Sequence, residues 1–506
     1  MSHETFIATL ALIGLVIVVA SLLSGVVERS GLPQVAIFLL LGAMLGPTGL
    51  GVVDLPLESE SLQVMATIGL VLVLFIDAIA VDTGEVRAQR RLAGLILGPG
   101  TILPAALNSL AAWLLLDLSP AAAAILGAAL ASTDPVLLRT LVRNPALPPS
   151  ARLALRLESG MNDVILLPIV VLAMYALQVG GEPPPREVAR VAMNLFLLGP
   201  LLGLAAGYVG ITLLDRVRSH VGVRRDYESI YALGVAFTAF AAAEAVGGSG
   251  FLAAFAAGLV IAVLDVELCD CFLDYGEASA EMFLLLTFVA FGSSLIWTGF
   301  DVADGRTLAF AVIALGVRTA VLLPVLKFAG LEPGTCRIIA WLGPRGLSAL
   351  LLVLLPVFAG VEGTVHLFQV TCLVVLLSVV LHGGGIALFL RRANRAAKAP
   401  GAAAPPAVRS EEPEEISFGE HPAPDHAPAE RAGAEGEIPE RITIDELRKL
   451  RERGEPVTIL DVRTERSYRD DPQIAAGAIR MPPDDAVRLA RERGLDQHGT
   501  LALYCT

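Results

Sequence analysis

Charged side chains are scarce in this sequence. Asp, Glu, Lys and Arg make up 17% of the 506 residues, against 55% hydrophobic residues, whereas an average soluble domain carries about 25% charged residues. Too little polar side chain is present to cover a water-facing surface, which excludes a soluble enzyme of this length. Cysteine is sparse as well: the five thiols (Cys269, Cys271, Cys336, Cys372, Cys505) are an odd number without a disulfide-framework spacing. Cys269 and Cys271 form a CxC pair in what reads as a short acidic loop, too few ligands for a metal site. The first apolar run, Thr5 to Val27, lacks a basic n-region and is too long for the h-region of a signal peptide; it reads as a membrane span. Positive charge is not in excess either, the net charge being -13, so no nucleic-acid partner is expected.

What is abundant is apolar sequence, with a mean hydropathy of +0.69. A membrane helix needs about 20 mostly apolar residues, and thirteen such segments lie near 5–27, 32–51, 61–80, 92–116, 119–142, 151–178, 188–214, 227–246, 249–265, 277–299, 306–328, 334–358 and 364–390. The eighth and ninth are separated only by Gly247 and Gly248. Lys and Arg gather in alternate loops, as the positive-inside rule requires: with the N-terminus outside, 18 fall on the inner side and three outside (Arg186, Arg190, Arg306). An integral protein of the inner or plasma membrane with a cytoplasmic C-terminal tail is expected. Arg318 and Arg345 remain, and both fall inside spans.

An ionisable residue at mid-membrane costs roughly 2.5 to 3.5 kcal/mol by insertion scales and marks function by default. The sixth span carries Glu158-Ser159-Gly160-Met161-Asn162-Asp163. At about 100° per residue, Glu158, Ser159, Asn162 and Asp163 share an arc of about 140° and face one partner. A polar packing seam needs hydroxyls and amides but not two carboxylates. The fifth span contains Ser132-Thr133-Asp134-Pro135, where proline should break the helix and leave carbonyls near Ala131 and Thr133 without partners. Seven spans on, Gly343-Pro344-Arg345-Gly346 interrupts the twelfth. Spans five and twelve therefore run in opposite directions, the signature of an inverted repeat whose broken helices cross at the midplane. Asp134 suits the half-helix N-termini there and Arg345 the C-termini. Glu158 needs a counter-ion, and Arg318 is the available cation. Asp163 is then the spare carboxylate. Asp77, in the third span, is either a fourth polar group of this cluster or an acid at a helix end.

These motifs resemble the NhaP-type sodium/proton antiporters over residues 1 to about 392. The resemblance implies an all-α polytopic membrane protein of inverted repeats, exchanging Na⁺ or Li⁺ for H⁺, with K⁺/H⁺ exchange as the alternative. Asp163 would be the carboxylate that takes proton and cation, Ser159 a side-chain ligand, Thr133 a main-chain ligand, and Asp134 would hold the ion through water. Asn162 is part of the same motif, and Glu158 with Arg318 would be a structural ion pair. Arg345 would steady the crossing. Where the family often has Glu, this chain has the shorter Asp77. A homodimer is implied as well. The oxygen-rich groups fit a hard cation, and one carboxylate shared by Na⁺ and H⁺ couples the two gradients at 1:1, with exchange stalling at low pH. No cofactor is called for beyond the transported ions.

Residues 393–440 are rich in Ala, Pro and Glu and read as a flexible acidic linker. From 441 to 506 the pattern is α/β: helices at Ile444–Arg453 and Asp485–Arg493, strands at Val457–Leu460 and Leu501–Tyr504. Leu460-Asp461-Val462-Arg463, Gly477-Ala478-Ile479-Arg480-Met481-Pro482 and Cys505 directly after a strand resemble a rhodanese-like domain. The chain stops at Thr506, before the loop that would complete the site around Cys505, so an incomplete domain is expected. A membrane-tethered sulfurtransferase would not need paired broken helices, and an ion channel would not need a buried titratable site.

Overall fold

The computed structural model describes residues 34–389 except 48, 54, 82, 143–146, 180–183, 221–224 and 265–269, with isolated positions between 10 and 22 and scattered ones from 447 to 504. Most of the expected first span, the acidic linker, most of both tail helices, and Cys505 lie outside the described residues.

The helices in chain order are α1 (Gln34–Leu45), α2 (Glu60–Ile79), α3 (Thr83–Ala88), α4 (Arg90–Leu97), α5 (Pro99–Leu115), α6 (Pro120–Ala129), α7 (Pro135–Val142), α8 (Pro149–Val179), α9 (Pro185–Met193), α10 (Gly199–His220), α11 (Arg225–Ala245), α12 (Gly250–Val263), α13 (Asp270–Ser293), α14 (Gly305–Lys327), α15 (Pro333–Trp341), α16 (Leu347–Phe358) and α17 (Thr364–Ser378). Many begin on proline, whose missing N–H costs nothing in a first turn. Others are capped: Ser59, Ser119, Ser249 and Asp304 accept the N–H of Leu62, Ala122, Leu252 and Thr307. That bond from Thr307 holds the exposed Asp304 carboxyl below its usual range.

The second to thirteenth expected spans all fall on this helical set. Among the described residues, six unbroken stretches are long and apolar enough to cross a membrane. The remainder are shorter because they are interrupted or short by themselves. The fifth span divides into α6 and α7, the twelfth into α15 and α16, and the tenth bends by 50° after α13 into a 3₁₀ turn, Leu295–Val302. The eighth and ninth are two helices, α11 and α12, separated by a turn in which Gly247 has φ +76°. Cys271 lies inside α13, which corrects the expected loop around the CxC pair; Cys269 is outside the described residues.

Lipid is as apolar as leucine, so helices in it associate through close packing of small residues. On α10, a side chain at Gly203 would collide with the Ala253 backbone of α12, and one at Gly207 would press on Ala257. Helix α2 runs through the densest part of the bundle, with Leu70 to Ile76 all buried. A polar tie joins α7 to α13 and α1: Arg139 pairs with Glu281 at 2.5 Å, and Gln34 donates to the same carboxylate at 2.8 Å.

The C-terminal residues form a separate unit. Its parallel sheet has the order β2–β1–β3, from β1 (Val457–Asp461), β2 (Ile479–Arg480) and β3 (Thr500–Tyr504). Asp461 and Arg463, two of the residues singled out in the tail, pair at 2.8 Å beside it. Burial pushes the Asp461 carboxyl up, but the hydrogen bonds from Arg463 outweigh it and hold the group below its ordinary value.

Candidate functional site

The site is built where two helices stop and restart. Helix α6 ends before Leu130, and Pro135 restarts the chain as α7; α15 ends at Trp341, and α16 restarts at Leu347. The two interruptions bond directly, the Asp134 amide donating to the Pro344 carbonyl at 3.0 Å. Asp134 serves both restarts with one carboxylate: Oδ1 accepts the Val136 N–H at 2.8 Å and Oδ2 the Leu347 N–H at 2.9 Å. A negative charge between two helix N-termini is the arrangement the macrodipoles favour. Arg345 serves the opposite polarity. Its guanidinium donates to the carbonyls of Ala131 (2.8 Å) and Ser132 (2.9 Å) and to the Thr133 hydroxyl (3.1 Å), closing the frayed end of α6. This corrects the expectation at Ala131: its carbonyl is freed by the break but taken up by Arg345. The Arg345 amide is held in turn by Ser378 Oγ at 2.7 Å, which sits 3.0 Å from His382 Nδ1. His382 lies in a π-helical turn, Val379–Gly383, that follows α17.

The glycines flanking Pro344 and Arg345 have a steric purpose. A Cβ at Gly346 would land on the Asp134 carboxylate, and one at Gly343 on the Arg318 guanidinium. Gly346→Ala should therefore displace Asp134 from the start of α16, with loss of folded protein as well as transport. Size-exclusion recovery and thermal unfolding in detergent check this, and a wild-type melting profile would show that the cap is dispensable.

Helix α8 brings the sixth-span cluster to this crossing. Glu158 Oε1 and Oε2 each meet Arg318 of α14 at 2.5 Å in a two-pronged pair, and Glu158 Oε1 also accepts from the Thr133 hydroxyl at 3.0 Å. Arg318 further donates to the Ala340 carbonyl at 2.7 Å near the end of α15. The two intramembrane arginines thus each close one half-helix C-terminus. Both members of the pair are almost wholly enclosed, at 3% and 4% exposure, so removing one partner should cost about 3–5 kcal/mol. Glu158→Gln should depress expression and melting temperature, and adding Arg318→Gln should recover part of the loss. A double variant no better than either single one would mean the pair does not act as a unit.

Asp163 is 3% exposed and its Oδ1 accepts from the Ser132 hydroxyl at 2.5 Å, while Ser348 lies in hydrogen-bonding contact with the same carboxylate. Asn162 is fully buried, and among the described residues neither its amide nitrogen nor its oxygen has a hydrogen-bond partner. Leaving such an amide unpaired costs about 1–3 kcal/mol. Ser159 donates along its own helix to the Arg156 carbonyl at 3.4 Å, so it is not among the hydroxyls on Asp163. Asp77 of α2 packs against Gly160, where an added Cβ would come within 3.2 Å of it. A narrow crevice reaches this point, lined by Asp77, Glu85, Arg156 and Gly160 among others.

A family described as "Sodium/hydrogen exchanger, transmembrane" matches residues 14–392. The chain belongs to the sodium/hydrogen exchanger family. This is a family of cation/proton transporters and not of enzymes. Among its relatives, the K(+)/H(+) antiporter NhaP2 of Shewanella sp. (strain ANA-3) is 26% identical over 382 residues, covering 74% of this chain and 65% of that protein. The K(+)/H(+) antiporter NhaP of Alkalimonas amylolytica is 25% identical over 396 residues, 77% of this chain and 67% of that one. This chain thus spans just under two thirds of the length of NhaP2 and about two thirds of that of NhaP. The solved sodium proton antiporter MjNhaP1 of Methanocaldococcus jannaschii superposes with a TM-score of 0.61 over 76% of this chain and 99% of that one, at 18% identity, a likeness of fold.

Ser348, Ser378, His382 and the two glycines were not singled out as site residues by the sequence reading. A hydroxyl within the apolar run of α16 was the available signal for Ser348. Ser132 belongs to the Ser132-Thr133-Asp134-Pro135 motif, which by itself assigns it no role. The crossing of the interruptions gives both serines their place beside Asp163.

Proposed function

We propose that the chain is a secondary transporter exchanging Na⁺ for H⁺, the two competing for the Asp163 carboxylate. One observation carries this reading: of the acids gathered at the crossing, Glu158 is neutralised by Arg318 and Asp134 is bound by two helix N-termini, whereas among the described residues Asp163 meets hydroxyls and no cation. A carboxylate without a fixed cation is free to take a mobile one. The unpaired, fully buried Asn162 amide beside it supports an occupant at this point. By the resemblance, Ser159 through its side chain, Thr133 through its carbonyl and Asp134 through water complete the ion's surroundings, with Asp77 opposite Gly160 as a further acid. The names of the NhaP2 and NhaP relatives favour a second reading, K⁺/H⁺ exchange at the same carboxylate. Cation-dependent dequenching of a pH dye in vesicles holding the purified protein, run separately with Na⁺, Li⁺ and K⁺, decides between them. A response to none of the three would refute exchange.

Electroneutral 1:1 exchange belongs to the same reading, because Asn162 does not titrate and both Asp134 oxygens are engaged by backbone N–H groups. Vesicles clamped with K⁺ and valinomycin should give Na⁺-driven initial rates that ignore voltage. A reversal point that moves with potential would require a second titrating acid. The distribution of Arg and Lys supports a plasma-membrane orientation with the N-terminus outside and the tail in the cytoplasm, and the resemblance supports a homodimer. For the tail, the parallel sheet is consistent with a partial rhodanese-like domain following the acidic linker.

A further inference from the structure

We propose that Ser132 and Ser348 supply the hydroxyl ligands that set which cation the site prefers; this rests on Asp163 being the exchanging carboxylate. The two serines come from different interrupted helices: Ser132 from the irregular stretch between α6 and α7, Ser348 from the first turn of α16. Both are enclosed, at 0% and 5% exposure, and both meet the Asp163 carboxylate. A hydroxyl has one hydrogen and two lone pairs. While the carboxylate is bare, each hydroxyl spends its hydrogen there. A cation seated against that carboxylate has these two oxygens as near neighbours, and a rotation about each C–O bond turns lone pairs toward the ion. No backbone movement is needed for that change.

The same geometry separates these serines from Ser159, whose hydroxyl bonds to its own helix at Arg156. Their positions are also fixed more firmly than a loop would allow. Arg345 holds the Ser132 carbonyl at 2.9 Å, and Asp134 holds the N–H of Leu347, the residue before Ser348, at 2.9 Å. The distance between the two hydroxyl oxygens is therefore set by the crossing itself. Selectivity between ions of one charge depends on the size of such a cage and on the number and strength of its oxygens. A smaller ion holds its water more tightly and needs more ligands in exchange, so losing one hydroxyl should penalise Na⁺ more than K⁺.

The test uses the full chain in vesicles at one fixed pH, with NaCl, LiCl and KCl in turn. Ser132→Ala and Ser348→Ala should each raise KM for Na⁺ about tenfold and KM for K⁺ about two- to threefold, with the maximal rate within about twofold of wild type. Ser348→Thr should restore the Na⁺ to K⁺ ratio. Ser348→Cys keeps the volume while replacing a hard oxygen by sulfur and should shift the ratio as Ala does, which covers an alanine variant that fails to fold. An unchanged ratio of KM values in the alanine and cysteine variants would overturn the assignment, as would a loss confined to the maximal rate that Thr does not rescue. Asp163→Asn is run alongside. If it is silent while the serine variants keep the wild-type ratio, only the serine assignment falls; if it transports, the reading of Asp163 falls with it.

Discussion

Asp163→Asn should abolish exchange, with transport below about 1% of wild type, and leave the fold nearly intact. The amide has the size of the carboxylate and can accept the Ser132 hydroxyl hydrogen that now goes to Oδ1. It can neither take up a proton nor supply the negative charge a cation needs in a low-dielectric site. Because Asp163 has no cationic partner among the described residues, its neutralisation leaves no buried charge behind. The variant should therefore melt within a few degrees of wild type, in contrast to Glu158→Gln. Transport by the purified variant in vesicles, at any of the three cations, would remove Asp163 from the centre of the mechanism.

Asp134→Asn should also eliminate most transport, but for a different reason and with a stability cost. The native carboxylate gives one oxygen to each of two helix starts, at Val136 and at Leu347. An amide has a single oxygen, and its NH₂ group would point a donor at a backbone donor. One half-helix then loses its cap, which costs about 1–2 kcal/mol, and the charge that faces both macrodipoles disappears. We expect at least a tenfold loss of exchange together with a lower melting temperature. A variant with normal thermal unfolding and normal transport would show that the crossing does not depend on this carboxylate.

These contrasts bear on how much was legible from residue order alone. The broken helices could be read because Pro135 and the Gly343 to Gly346 run punctuate otherwise apolar spans, and proline acts through local sterics that need no tertiary information. Glu158 and Arg318 could be matched because a buried charge requires compensation wherever it lies. Which atoms Asp134 would touch was not legible: its two partners are backbone N–H groups more than 200 residues apart in sequence, and backbone groups leave no mark in a sequence. The same holds for the Ala131 carbonyl, freed by the expected break and then taken up by Arg345. Ser348 was hidden because one serine in an apolar helix has many innocuous explanations, and only the crossing places it on Asp163. The sequence allows two readings of Asp77, and its packing against Gly160 places it beside the cluster.

The claim at the centre is that a proton and a cation compete for one carboxylate. Initial rates of exchange in vesicles, measured over a grid of cation concentration and pH with equal pH changes on both sides, test it most directly. Protonation occupies the site that the cation needs. The apparent KM for the cation should therefore rise as pH falls, by as much as tenfold per unit in the acidic limb, while saturating cation restores the same maximal rate. A KM that stays constant while the maximal rate falls with pH would place the proton on a different group from the cation, and would contradict competition at Asp163.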